Sequence, residues 1–76
     1  MNAAYEHKLE LEEVIVRYLP LIKKIVDQVN LTHTQYEKED MIHIGVLGLI
    51  DAFQRYDSGK GIPFQHYAKW RIRGSI

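Results

Sequence analysis

The sequence predicts a small all-α domain, a bundle of three to four helices around one core. Its 76 residues are enough for a single core. A hydrophobic fraction of 46% excludes a wholly disordered chain. Apolar residues recur at helical spacing in three segments that are separated by short polar or glycine-containing connections. We therefore expect one domain over residues 1–76, with residues 1–7 frayed.

The first helix is predicted over about residues 8–29. Pro20 lies inside its apolar pattern and cannot donate a backbone hydrogen bond, so we expect a kink or break near Leu19. The pattern fits one bent helix or two short helices. The apolar positions are Leu11, Val14, Ile15, Tyr18, Ile22, Ile25, Val26 and Val29.

The second helix should begin near Gln35, because Thr34 and Glu37 have the spacing of a capping box. It should end at about Tyr56. Gly45 and Gly48 lie on its core face, where they would let another helix approach closely. The core face comprises Met41, Ile42, Gly45, Gly48, Leu49, Ala52, Phe53 and Tyr56.

The opposite side of this helix also carries large aliphatic residues. A helix that is apolar all round is normally covered on both sides. Either the amino-terminal helices wrap around this side, or another molecule covers it. Its residues are Asp40, His43, Ile44, Leu47, Ile50, Asp51 and Gln54.

The third helix follows a turn over residues 57–62, with Pro63 expected at its first position. Phe64, Ala68 and Ile72 should meet the core. Tyr67 and Trp70 lie one turn apart among basic residues, and aromatic rings with interleaved cations can stack on bases and hold phosphates. An equally simple interpretation places both rings at the core edge. The basic residues are Lys60, Lys69, Arg71 and Arg73.

Charge is segregated although the formal net charge is zero. Residues 1–54 contain nine acidic and five basic residues, whereas residues 55–76 contain one acidic and five basic residues. This asymmetry is typical either of a polyanion-binding end on an acidic body or of ordinary surface charge that happens to cluster.

Several kinds of site are disfavoured. The chain contains no cysteine, which excludes disulfides and thiolate zinc ligands. Glu37, Asp40 and His43 follow one another at helical spacing, but no second helix offers a matching ligand set, so we expect no metal. Ser58 and Ser75 lack a nucleophile motif. We therefore expect neither an enzyme nor a cofactor.

The start of the chain has no signal peptide, and its longest apolar run is too short to cross a bilayer. We expect a cytoplasmic protein of bacterial type without membrane contact.

Three segments resemble region 2 of bacterial sigma factors of the sigma-70 family. R-Y-L-P-L-I-K-K-I at 17–25 resembles the start of that region, and E-D-M-I-H-I-G-V-L-G-L-I-D-A-F-Q-R-Y-D at 39–57 resembles its polymerase-binding helix. G-I-P-F-Q-H-Y-A-K-W-R-I-R-G-S-I at 61–76 resembles its melting segment. The R-I-R-G motif most resembles the flagellar and general-stress branches. The resemblance covers roughly residues 14–76.

The resemblance implies a role in transcription initiation. By this resemblance, five residues would bind the clamp helices of the largest catalytic subunit of core RNA polymerase: Asp40, His43, Ile44, Leu47 and Ile50. Tyr56, Lys60, Tyr67 and Trp70 would line the place where a flipped adenine of the minus-ten nontemplate strand is captured. Arg71 and Arg73 would hold backbone phosphate. Capture of a flipped base favours open promoter DNA without covalent chemistry.

Family members continue the last helix beyond Ile76, so the resemblance implies a truncated or split form. An alternative is therefore a stand-alone sigma-like co-factor, or a subunit of a split sigma factor. Such a protein would act mainly by binding polymerase, a partner sigma chain or an anti-sigma factor.

Overall fold

Three α-helices and one 3₁₀ turn make up the part of the chain that the structure, a computed structural model, describes: residues 3–29 and 32–76. Helix α1 is Ala3–Val29, α2 is Gln35–Arg55 and α3 is Phe64–Ser75, with a 3₁₀ turn at Ser58–Lys60 between α2 and α3. The predicted all-α class is confirmed. Helix α2 is the central element, because it packs against both α1 and α3.

Helix α1 starts earlier than the sequence predicted and does not break at Pro20. A proline inside a helix costs about 3 kcal/mol. Tyr18 and Leu21 on either side of Pro20 pack against the core, and Ile22 is fully buried. This packing keeps the two halves in one helix. Fraying of residues 1–7 stays a prediction, although α1 begins at Ala3.

The capping box at the start of α2 is confirmed. The Glu37 backbone N–H donates to Thr34 Oγ1 at 3.2 Å, and the Thr34 backbone N–H donates to Glu37 Oε2 at 2.9 Å. These bonds satisfy two donors that would otherwise lack a partner. Helix α2 ends at Arg55, one residue before the predicted end.

All three helices contribute to the core. Val29, the last of the apolar positions spaced along α1, is 54% exposed at the end of the helix. Phe64 packs against the core from the start of α3. The fully or almost fully buried residues are Ile22, Ile25, Val26, Leu49, Ala52, Ala68 and Ile72.

Gly45 and Gly48 permit the close packing that the sequence predicted. A Cβ atom on Gly45 would lie 2.7 Å from Ile22 Cγ2 of α1. A Cβ atom on Gly48 would lie 2.9 Å from Ser75 Cβ and 3.3 Å from the Arg71 carbonyl oxygen of α3. Two glycines one turn apart therefore bring both neighbouring helices close to α2.

The turn before α3 depends on local hydrogen bonds. Asp57 Oδ1 accepts from the Gly59 backbone N–H at 2.9 Å, and Gly61 adopts a positive φ of 75°. Pro63 is the N-cap of α3 and not its first helical residue, because its ψ of 143° is extended. Its carbonyl oxygen nevertheless accepts from the backbone N–H groups of His66 and Tyr67.

Candidate functional site

The outer face of α2, which we define as Asp40, His43, Ile44, Leu47 and Ile50, is largely uncovered by the described elements. Ile44 is 43% exposed and Leu47 is 56% exposed. Asp40 and His43 are exposed beside them, and Ile50 is half-buried. The alternative that the amino-terminal helix wraps around this face is wrong for the described residues, since α1 reaches the side of α2 that carries Gly45.

Asp51, which the sequence grouped with this side of α2, turns towards α3 instead. Its Oδ2 accepts a short hydrogen bond from Arg71 Nη2 of α3. Its Oδ1 pairs with Arg55 Nε at 2.8 Å. The hydrogen bond from Arg71, the largest cause, holds the pKa of Asp51 below its ordinary value of 3.8. Asp51 thus joins the edge of the outer face to the third helix.

A ladder of aromatic rings runs from the core to the surface. Phe64 makes edge contacts with Tyr18 at 5.8 Å, with Phe53 at 6.4 Å and with Tyr56 at 5.2 Å between ring centroids. Edge-to-face geometry at these distances is favourable for aromatic pairs. Phe64 is therefore the inner anchor of the ladder, a role that its position in the sequence did not indicate.

The outer part of the ladder is accessible. Tyr67 lies 6.0 Å from Tyr56 and 6.5 Å from Trp70, and both pairs are tilted. Tyr56 and Tyr67 are half-buried, whereas Trp70 is 69% exposed. Both interpretations made from the sequence therefore apply in part, because Tyr67 lies at the core edge and Trp70 projects into solvent.

Tyr56 also fixes the turn between α2 and α3. Its hydroxyl donates to the Ile62 carbonyl oxygen at 2.7 Å. This bond holds the turn, which carries Lys60, close to the ring ladder. We refer to the sequence-predicted set Tyr56, Lys60, Tyr67, Trp70, Arg71 and Arg73 as the aromatic-basic end.

The cations of the aromatic-basic end fall into two groups. Lys60 and Arg73 are exposed, as is neighbouring Lys69, and the described residues offer none of the three an ion pair. Arg71 is half-buried and bound to Asp51. Sequence reasoning missed this pair because its members are 20 residues apart and no local pattern connects them.

The Glu37, Asp40 and His43 series does not form a ligand cluster. Glu37 instead bonds to Thr34 and contacts His33 Nδ1 at 3.0 Å. Its pKa is lowered mainly by the Thr34 backbone N–H, and next by His33. Among the side chains that the structure describes, which begin at Leu9, no three histidine or acidic groups converge in a way that could hold a metal ion. No helix described here has the length and apolarity to span a bilayer.

Known proteins resemble this chain over most of its length. Residues 14–76 match the family Sigma-70 region 2. The chain is 39% identical over 66 residues to RNA polymerase sigma factor FliA of Pseudomonas aeruginosa, an alignment that covers 86% of this chain and 27% of that protein. It is 33% identical to the RNA polymerase sigma-D factor of Bacillus subtilis, with 86% of this chain and 26% of that protein covered.

A third relative is RNA polymerase sigma factor FliA of Escherichia coli, which is 35% identical over the whole of this chain and 33% of its own length. The chain thus spans about a third or less of these relatives. No solved structure matches it significantly. The family match covers both the outer face of α2 and the aromatic-basic end, and the chain belongs to the sigma-70 family, as a region 2 of its flagellar branch.

Proposed function

We propose that this chain is a single sigma region 2 module that acts in transcription initiation in the bacterial cytoplasm. It binds core RNA polymerase through the outer face of α2, and it contributes to recognition and melting of the minus-ten promoter element through the aromatic-basic end. The relatives named above are sigma factors of RNA polymerase. The observation that carries the proposal is the exposed apolar strip on α2, which a solvated helix would not display.

The outer face suits a helical partner. Ile44 and Leu47 are one turn apart and exposed, and Ile50 continues the strip. Asp40 and His43 flank it with polar groups, as at the rim of an interface. Side chains at this spacing can pack between the residues of a facing helix. We assign the clamp helices of the largest catalytic subunit of polymerase as the partner.

The aromatic-basic end suits unpaired DNA. The ring of Trp70 is largely exposed, and the ring of Tyr67 lies 6.5 Å from it between centroids. Tyr67 in turn neighbours Tyr56, which contacts Phe64. A base that leaves the duplex can stack there, while Lys60 and Arg73 attract the nontemplate phosphates. The module needs no catalytic group or cofactor, because binding of the opened strand alone shifts the equilibrium towards melted DNA.

The runner-up function is a sigma-like co-factor that acts only through protein contacts. Its partner would be polymerase, a second sigma chain or an anti-sigma factor. The exposed strip on α2 supports this function as well. The two functions differ in what Trp70 does, since only the first requires it to bind a base.

The test is a pull-down of this chain by the clamp-helix fragment of the polymerase large subunit. The wild type should bind, and Leu47→Asp with Ile50→Asp should bind at least about 30-fold more weakly, the effect of losing a hot-spot side chain worth 2 kcal/mol. Circular dichroism should show unchanged helicity. Folded wild-type protein that fails to bind would contradict the assignment.

The matched control is Trp70→Ala, which leaves the outer face intact. It should retain clamp-helix binding and lose about 5- to 140-fold in affinity for a nontemplate minus-ten oligonucleotide, equivalent to 1–3 kcal/mol of stacking. Equal oligonucleotide binding by wild type and Trp70→Ala would favour the co-factor function.

A further inference from the structure

Arg71 differs from the other cations of the aromatic-basic end because a carboxylate from another helix holds it. Asp51 of α2 accepts from Arg71 Nη2 with one oxygen and pairs with Arg55 with the other. Both carboxylate oxygens are therefore engaged, and the guanidinium of Arg71 is restrained from one side.

The surroundings of Arg71 restrain it further. Its Nε atom is buried, and its side chain is only 37% exposed. The backbone at Arg71 is fixed as well, because Ser75 Oγ donates to the Arg71 carbonyl oxygen at 2.9 Å and Gly48 of α2 packs against the same oxygen. The residue before it is Trp70, whose ring is 69% exposed. Arg71 and Trp70 line one cleft on α3 together with Gly74 and Ser75, so a partly exposed, anchored arginine shares this cleft with the exposed ring.

A carboxylate bound to an arginine changes how that arginine can bind nucleic acid. A free arginine on a flexible chain is attracted to any phosphate, and this attraction carries no sequence information. A carboxylate in contact with the guanidinium offsets its charge, and the planar fork keeps the remaining N–H donors in fixed directions. Fixed donors favour one arrangement of a neighbouring nucleotide over others.

We propose that Asp51 is a positioning residue: it anchors Arg71 beside Trp70 and suppresses its attraction to phosphate, so that the pair raises base discrimination and lowers general affinity for single strands. The proposal rests on the proposed function, because it assumes that Trp70 binds a base. It differs from the role that the resemblance implied for Arg71, that of a simple phosphate clamp.

The test measures fluorescence anisotropy with two labelled probes. One is an oligothymidylate of about 12 nucleotides, within the usual site size of single-strand binders. The other has the same length and one central adenine. Binding is followed from about 50 to 200 mM NaCl, a range over which phosphate contacts weaken strongly.

Asp51→Ala should bind both probes more tightly at low salt and should lose the preference for the adenine probe. One added phosphate contact steepens the slope of log K against log salt by about 0.7, so binding should fall about 2.6-fold more across this range than for the wild type. Adding Arg71→Ala should return the slope to the wild-type value, because the released cation is then absent.

Two controls separate this effect from simpler ones. Glu39→Ala removes an exposed carboxylate from α2 at a distance from α3, so it reports the effect of net charge alone. Arg55→Ala removes the other partner of Asp51 and should make the slope shallower. If Asp51→Ala is poorly folded, Asp51→Asn preserves the shape and removes the charge.

The outcomes are distinct. A lower melting temperature for Asp51→Ala with an unchanged salt slope and adenine preference would mean that the pair only holds two helices together, and would overturn the proposal. A wild type without adenine preference, and without dependence on Trp70, would instead contradict the proposed function. In that case the salt slope of Asp51→Ala still decides whether Asp51 restrains the charge of Arg71.

Discussion

The outer face of α2 and the aromatic-basic end differ in the number of elements that build them. The outer face lies on a single helix, and its residues recur one turn apart within residues 40–50. The aromatic-basic end combines Tyr56, which directly follows α2, with the Ser58–Lys60 turn and α3. Phe64 of α3 connects Tyr56 of this end to the core, because it contacts Tyr56, Phe53 and Tyr18 together.

This difference implies different sensitivities. A surface on one helix persists as long as that helix forms, whatever its neighbours do. A surface shared by three segments depends on their packing, and small displacements change the distances between its groups. Substitutions at the seam between α2 and α3 should therefore damage DNA binding first, and substitutions at the start of α2 should damage polymerase binding first.

Gly48→Ala should produce the largest effect and should break the aromatic-basic end selectively. The new methyl group would lie 2.9 Å from Ser75 Cβ and 3.3 Å from the Arg71 carbonyl oxygen, so α3 must move. Overpacking of this kind costs about 1–3 kcal/mol, and the preference of a helix for alanine over glycine, about 1 kcal/mol, offsets only part of it. We expect a lower free energy of unfolding in urea, and weaker oligonucleotide binding by the folded fraction.

The matched control is Gly74→Ala on the exposed side of α3, where a Cβ atom meets nothing within 4 Å. Alanine is preferred to glycine in a helix by about 1 kcal/mol, so this variant should be slightly more stable than the wild type. Equal stability changes in the two alanine variants would contradict the role of Gly48 as a close-packing residue.

Thr34→Ala should affect the other surface, and less strongly. Loss of the cap hydrogen bond to the Glu37 backbone N–H costs about 1 kcal/mol and frays the first turn of α2. Clamp-helix binding should fall by at most about fivefold, the equivalent of that energy, because Asp40 and His43 are near this end. Oligonucleotide binding per folded molecule should not change.

Gln35→Ala provides a comparison at an exposed position of the same turn. It should leave clamp-helix binding and stability close to those of the wild type. A Thr34→Ala variant that loses oligonucleotide binding instead would show that the two surfaces are not independent.

The smallest expected effect is on the free energy of unfolding at acid pH, through the ion pair between Asp51 of α2 and Arg71 of α3. The pKa of Asp51 is lowered by Arg71, so the ionised carboxylate stabilises the folded state. This contribution is fully present above the ordinary pKa of 3.8 and is lost as the pH falls below it, through the pKa of the folded state. Asp51→Asn should flatten the dependence of unfolding free energy on pH in this window.

Glu37 supplies an internal comparison at slightly higher pH. Its lowered pKa gives a contribution that decreases as the pH falls below its ordinary value of 4.5. Glu37→Gln should remove this part of the acid sensitivity and leave the Asp51 part. Titration by circular dichroism at fixed urea measures both, and an unchanged profile in Asp51→Asn would contradict a stabilising ion pair.

The local features of the fold were predictable. Thr34 and Glu37 predicted the start of α2, because a capping box is a local pattern of two residues three positions apart. The wheel positions of Gly45, Gly48, Leu49 and Ala52 correctly gave the buried side of α2. Pro20 left open one bent helix or two short helices; the structure has a single helix through Pro20, with the neighbouring Ile22 fully buried.

The candidate site also has features that the sequence predicted and features that depend on helix packing. The apolar strip on α2 could be found from the sequence, since residues on one helix face have a fixed spacing. The sequence also grouped Tyr67 with Trp70 and the surrounding cations. It could not show that Tyr67 is half-buried while Trp70 is free, since this depends on how closely α3 approaches α2.

The sequence by itself determined the all-α class, the capping box at the start of α2 and the apolar residues on both sides of α2, because these features follow from hydrogen bonds and spacing within one segment. The tertiary structure alone decided the partner of Arg71 and the role of Phe64. Asp51 and Arg71 are brought together over 20 residues, and Phe64 gathers rings from α1 and α2. Such contacts arise from the packing of separate helices, whose relative positions no local pattern specifies.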